Sequence, residues 1–212
     1  MLRKDYLLYA VTDRSWLKGD SLAKQVREAL EAGVTLLQLR EKDMPFEELV
    51  ALAGEIHEIT MQYGVPLIIN DNVDLALAVG AEGIHLGQED MKLGNARARL
   101  GKDKIIGISA HTVEEARRAQ DNGADYIGTG AVFATTTKSD AHTVSLSTLS
   151  DICGAVTIPV VAIGGITKDN ILQLKRTGIA GVAVISAIFA RQEIGKATKE
   201  LVGLARQVIE ES

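Results

Sequence analysis

Short runs of aliphatic and β-branched residues alternate with longer amphipathic runs from one end of the chain to the other. The short runs predict eight strands, over 6–12, 34–39, 66–70, 83–86, 104–109, 125–128, 159–163 and 181–185. Several are apolar almost throughout, as in Val65-Pro66-Leu67-Ile68-Ile69 and Val160-Val161-Ala162-Ile163. A parallel strand covered on both faces reads this way. Helical periodicity is clearest over 21–32, 46–63, 113–122 and 168–177. Glycine recurs between a helical run and the next strand, at Gly33, Gly80, Gly123 and Gly178. It is the residue that ends a helix most cheaply. The spacing of these hinges, 47, 43 and 55 residues, accommodates two strand–helix units per interval. Eight such units use the whole chain.

Eight alternating units predict an α/β fold, either a (β/α)₈ TIM barrel or an open doubly wound sheet, and the even alternation favours the barrel. No linker, low-complexity tract or long charge run divides the sequence, so residues 1–212 are expected to form a single barrel domain. At this length roughly 70% of the extended surface is buried on folding, enough for a core without staples. Apolar residues make up 46% and charged residues 24%, the balance of a folded globular chain. One cysteine, Cys153, excludes an internal disulfide and a cysteine-cluster metal site. Net charge is −5 and there are eight aromatic residues, which argues against nucleic acid as a partner. The most apolar stretch, 180–190, is too short to span a bilayer. The basic start lacks the long apolar run of a signal peptide, so a cytoplasmic location is expected.

In a barrel, chemistry gathers where strands end. Strand two runs into Gln38-Leu39-Arg40-Glu41-Lys42, where period-two spacing puts Gln38, Arg40 and, by extension, Lys42 on one side. Strand three ends at Asn70-Asp71, and strand four at Gly87-Gln88-Glu89-Asp90. Asp71 and Asp90 therefore sit on neighbouring strands, which lie ~4.8 Å apart. Either aspartate alone reads as a helix cap. As a pair facing cations, they read better as magnesium ligands, because magnesium takes one or two carboxylates and completes its shell with water and phosphate oxygens. Arg40, Lys42 and Lys138 are the cations, each alone an ordinary exposed residue. Gly164-Gly165 and Ile185-Ser186, on the last two strands, offer backbone N–H groups to a phosphate, and Thr135-Thr136-Thr137 adds hydroxyls.

Other motifs fail on inspection. Gly107-Ile108-Ser109-Ala110-His111 lacks the last glycine of a nucleophile elbow, and Gly128-Thr129-Gly130 lacks the last glycine of a dinucleotide fingerprint. His57-Glu58 is followed by Met61 where a zinc-protease motif needs histidine. His85, inside an apolar strand, reads as a packed histidine.

Taken in order, Gln38-Leu39-Arg40-Glu41-Lys42, Asn70-Asp71, His85-Leu86-Gly87-Gln88-Glu89-Asp90, Ser109-Ala110-His111 and Thr135-Thr136-Thr137-Lys138 resemble the thiamine phosphate synthases over nearly the whole chain. The resemblance implies a (β/α)₈ barrel with its active site at the C-terminal strand ends. It implies that the enzyme joins a hydroxymethylpyrimidine diphosphate to a thiazole phosphate with Mg²⁺, releasing pyrophosphate. By position it assigns Gln38 to Lys42, Asn70, Ser109 and Lys138 to the pyrimidine diphosphate. It assigns Thr135 to Thr137, Gly165, Ile185 and Ser186 to the thiazole phosphate, and Asp71 and Asp90 to the metal. Arg40, Lys42, Ser109 and Lys138 would stabilise the leaving diphosphate, with the 133–143 loop as lid. Asn72 stands where the family usually has arginine and Ala134 where it usually has proline. The expected partners are small-molecule substrates, and a homo-oligomer is compatible with the sequence. The rivals are a thiazole-isomerising relative, a Schiff-base barrel enzyme using Lys138, and a non-catalytic barrel that senses a phosphate ligand.

Overall fold

In the computed structural model, which describes residues 3–17, 19–135 and 143–211, all eight predicted strands form and close into one parallel barrel. They are β1 (Leu8–Val11), β2 (Leu36–Leu39), β3 (Leu67–Asn70), β4 (Gly83–Leu86), β5 (Ile105–Ser109), β6 (Tyr126–Thr129), β7 (Val160–Ile163) and β8 (Gly181–Val184). Each pairs with its sequence neighbours, and β1 closes the ring by pairing Tyr9 with both Leu36 and Ala183. The helices are α1 (Leu22–Glu31), α2 (Phe46–Tyr63), α3 (Val73–Val79), α4 (Leu93–Leu100), α5 (Val113–Asp121), α6 (Leu146–Ala155), α7 (Ser186–Phe189) and α8 (Ile194–Glu210). Among the described residues, no helix is long and apolar enough to cross a membrane.

Period-two alternation sorts the strand residues into two cores. Leu8, Ala10, Leu37, Leu39, Leu67, Ile69, Ile84 and Leu86 point outward and pack under the helices. Tyr9, Val11, Leu36, Ile68, Tyr126, Val161 and Ala183 point inward, joined by Tyr6 from below the barrel. The apolar character seen along the strands follows from this double covering. All four hinge glycines adopt positive φ, at 107°, 73°, 90° and 88° for Gly33, Gly80, Gly123 and Gly178.

One expected helix does not form. Residues 168–177 contain only a 3₁₀ turn, Ile171–Leu174. Polar side chains there bond the local backbone instead of leaving it to a helix. The Asn170 amide donates to the Gly165 carbonyl at 2.9 Å and its oxygen accepts from Thr167 N at 2.8 Å. Thr177 Oγ1 donates to the Leu174 carbonyl at 2.6 Å. Arg176 then turns the chain with φ of 63°.

Candidate active site

A cavity of about 590 Å³ opens at the C-terminal end of the strands, within the usual range for a small-molecule site. Its wall brings together Gln38, Arg40, Asn70, Asp71, Asp90, Ser109, Thr135 and Ile185 from residues widely separated in sequence. Gln38 and Arg40 reach it because both lie on the inward parity of β2 and its extension. Leu39 and Glu41 have the opposite parity. Leu39 is 1% exposed in the outer core. The Glu41 side chain is 10% exposed and lies 3.8 Å from the Arg14 guanidinium. Burial pushes the Glu41 carboxyl above its ordinary pKa, against the pull of Arg14, and its Oε1 has no hydrogen-bond partner. Lys42 lies beyond the end of β2 and lines a separate cleft of about 190 Å³ with Met44, Phe46 and Asn72.

The two aspartates do not cap helices. Asn72 is the cap of α3, its side-chain oxygen accepting from Leu75 N at 2.9 Å, and Lys92 precedes α4. Asp71 instead adopts φ of 60°, a left-handed conformation that aspartate tolerates better than most residues. Its N–H donates to the His85 carbonyl at 2.9 Å, extending the β3–β4 ladder by one bond. Asp71 Oδ2 accepts from the Asn70 amide at 2.6 Å, and Asp90 Oδ2 accepts from Gly87 N at 2.6 Å. Both carboxylates are exposed in the cavity mouth. Two hard oxygen donors open to water and to a phosphate ligand fit magnesium. The described residues hold no cluster of three or more metal-ligating side chains, and magnesium does not require one.

On the opposite side, Gly164 and Ile185 line the cavity, with Gly165 next in the chain and Ser186 opening α7. A helix's first N–H groups have no intrahelical acceptor, so the start of α7 presents donors beside β8. Gly165 has φ of 65°, and a Cβ there would meet the carbonyls of Ala134 and Phe133. Glycine at 165 is thus required by the approach of the β6 loop. Thr136, Thr137 and Lys138, with most of the expected 133–143 lid, lie outside the described residues.

Reading the sequence missed a polar layer below the mouth. Tyr9, His85 and Tyr126 all line the cavity; His85 is packed within β4 as expected, its ring centroid 5.5 Å from that of Tyr126, but it also faces the cavity. Gln38 Nε2 donates to Tyr9 Oη at 2.6 Å, and the Tyr9 and Tyr126 hydroxyls are 2.9 Å apart. His85 Nδ1 lies 2.9 Å from Tyr126 Oη and His85 Nε2 lies 3.0 Å from Ser109 Oγ. Burial drives both tyrosine pKa values upward, so both phenols stay protonated. The available signal was glycine inside strands, which often marks a close approach. A Cβ on Gly107 would enter the Tyr126 ring, and one on Gly128 would lie 2.9 Å from His85 Cε1. Gln88, Glu89, His111 and Glu115 also line the cavity. Gln88 Nε2 donates to the Ser109 carbonyl at 2.5 Å, and His111 N donates to Glu115 Oε2 at 2.7 Å.

Residues 8–188 match the family described as thiamine monophosphate synthase. The chain is 52% identical over 199 residues to a thiamine-phosphate synthase of Clostridium tetani, covering 94% of this chain and 95% of that protein. It is 52% identical over 194 residues to the thiamine-phosphate synthase of Clostridium acetobutylicum, covering 92% of each. Among solved structures, it superposes on a thiamine phosphate pyrophosphorylase from Pyrococcus furiosus with a TM-score of 0.91 and 42% identity. That alignment covers 99% of this chain and all of the other.

Proposed function

The chain belongs to the thiamine monophosphate synthase family, and on that premise we propose how its barrel mouth performs the family's reaction. The enzyme is a transferase acting on small molecules. It joins 4-amino-2-methyl-5-(diphosphomethyl)pyrimidine to 4-methyl-5-(2-phosphoethyl)thiazole, giving thiamine phosphate and pyrophosphate. The observation that carries this reading is the convergence of Arg40, Asp71, Asp90 and Ser109 on one cavity. It is a cation, two carboxylates and a hydroxyl at the ends of four different strands.

The reaction breaks the bond between the pyrimidinyl methylene carbon and a diphosphate oxygen, and forms a bond from that carbon to the thiazole nitrogen. The aminopyrimidine can spread positive charge away from the carbon, so bond breaking can run ahead of bond making. The protein's task is to accept negative charge on the departing diphosphate and to hold the thiazole within reach. Arg40 supplies a fixed positive charge and Ser109 a hydroxyl for the diphosphate, with Gln38 and Asn70 beside them. Lys138 is assigned to the same substrate, whereas Lys42, in its separate cleft, is not. Asp71 and Asp90 would hold Mg²⁺, which when bound supplies Lewis-acid neutralisation of diphosphate charge. Thr135 to Thr137, Gly165, Ile185 and Ser186 hold the thiazole phosphate through hydroxyl and backbone N–H donors. No residue acts as a covalent nucleophile.

Mixing both substrates with magnesium should release pyrophosphate and thiamine phosphate in equal amounts, and neither substrate alone should do so. Binding without turnover would favour a phosphate-sensing barrel. A change in the thiazole with no pyrophosphate would favour the isomerising relative.

A further inference from the structure

Five side chains from five strands form one unbroken hydrogen-bonded chain across the barrel interior, and both of its ends face the same cavity. Gln38 stands at one end and Ser109 at the other, joined through Tyr9, Tyr126 and His85. Gln38 Nε2 donates to Tyr9 Oη, which commits the remaining protons. The Tyr9 hydroxyl is left to donate to Tyr126. The Tyr126 hydroxyl then donates to His85 Nδ1, which must be the bare nitrogen. His85 therefore carries its proton on Nε2 and donates it to Ser109 Oγ. Each buried donor finds an acceptor in this sense. The opposite sense needs the Gln38 amide turned over, so that its oxygen accepts from Tyr9. The Ser109 hydroxyl would then be spent on His85.

We propose that Tyr9, Tyr126 and His85 are positioning residues that fix the imidazole as its Nε2–H tautomer and so leave the Ser109 proton free to be donated into the cavity. This rests on the reading of Ser109 as a diphosphate contact and adds what makes it a donor. A serine that spends its proton internally offers an anion only lone pairs. The inward glycines Gly107 and Gly128 keep room for the Tyr126 ring and the imidazole. Because Gln38 also lines the cavity, the state of its amide sets the state of Ser109 across the barrel.

The tautomer is read directly from nitrogen NMR of protein labelled at its four histidines, with His85 assigned by loss of its signals in His85→Gln. The expected result is a pyridine-type Nδ1 and a pyrrole-type Nε2. Gln38→Glu places an acceptor-only carboxylate against Tyr9, which should reverse every bond and move the proton to Nδ1. Calorimetric titration with magnesium pyrophosphate should then show about a tenfold loss of affinity or more. In Gln38→Glu combined with Tyr126→Phe the added charge remains but the chain is cut. The loss caused by Gln38→Glu should therefore be smaller in the Tyr126→Phe background than in the parent. A proton on Nδ1 in the parent, or a tautomer unmoved by Gln38→Glu, would overturn the proposal. If Gln38→Glu does not fold, Tyr126→Phe alone decides, because His85 should then lose its single tautomer; retention of one fixed tautomer overturns the proposal. A parent that binds no pyrophosphate would sink the proposed function, while the tautomer still decides the proton chain.

Discussion

Replacing Asp90 by asparagine separates the charge of this side chain from its shape. Asp90 Oδ2 accepts from Gly87 N at 2.6 Å, and an asparagine oxygen can accept the same bond. The exchange turns a charge-assisted hydrogen bond, ~1.5–3 kcal/mol, into a neutral one, ~0.5–1.5 kcal/mol, a difference of about 1 kcal/mol. The site is exposed, so water softens even that. For a chain of this size, 1 kcal/mol corresponds to roughly 2–4 °C in Tm. The effect on turnover should be far larger. One of the two anionic ligands proposed for magnesium is lost, and turnover should fall by two orders of magnitude or more, ~3 kcal/mol of barrier. Asp71→Asn should behave alike. The assay pairs pyrophosphate release against magnesium concentration with a thermal melt of the same preparation. Near-parental turnover with unchanged magnesium dependence would remove Asp90 from the metal site. A Tm loss of ten degrees or more would mean that the carboxylate supports the loop and not the metal.

Gly107→Ala should lower Tm by several degrees, because the new Cβ enters the fully buried Tyr126 ring and overpacking costs ~1–3 kcal/mol; an unchanged melt would sink this. Arg97→Ala should cost ~1.5–3 kcal/mol in urea denaturation and leave turnover of the folded enzyme intact. Its guanidinium ties the Lys104 and Gly123 carbonyls and Asp125 together below β5 and β6, away from the cavity, so lost turnover at full folding would contradict that placement. Glu41→Gln tests the raised carboxyl. A carboxyl whose folded pKa lies above its unfolded value contributes most below the unfolded value and loses that contribution as pH rises through the folded one. The stability of Glu41→Gln relative to the parent should therefore increase as pH rises above the ordinary glutamate value of about 4.3, and a flat or falling difference would refute the assignment.

The barrel was legible because covering both faces of a strand leaves a local mark in sequence. Leu67-Ile68-Ile69 and Val160-Val161-Ala162 read as such strands, although a buried helix segment leaves a similar run, and the spacing of the hinge glycines favoured strand–helix units. Asn70, Asp71, Asp90 and Ser109 could be placed at the barrel mouth, where they line one cavity, because polar residues follow the apolar strands there. Period two failed at Lys42, because the chain has left the strand by then and its alternation no longer holds. The polar layer was harder to see. Tyr9 and Tyr126 are 117 residues apart and meet only through the closure of the ring. Each alone looks like one more large strand residue. The missing helix at 168–177 had an acceptable helical pattern, and only the side-chain bonds of Asn170 and Thr177 reveal why it stops.

The floor of the cavity gives the barrel two unequal ends. Tyr6 and Tyr126, with ring centroids 5.2 Å apart, and the buried Leu36, Ile68 and Val161 fill the barrel beneath it. Among the described residues, the C-terminal end of the strands is thus the wall of a vessel and the N-terminal end its plug. Traffic to the cavity runs over the strand ends, and a substitution that loosens the plug acts on the fold before it acts on a ligand.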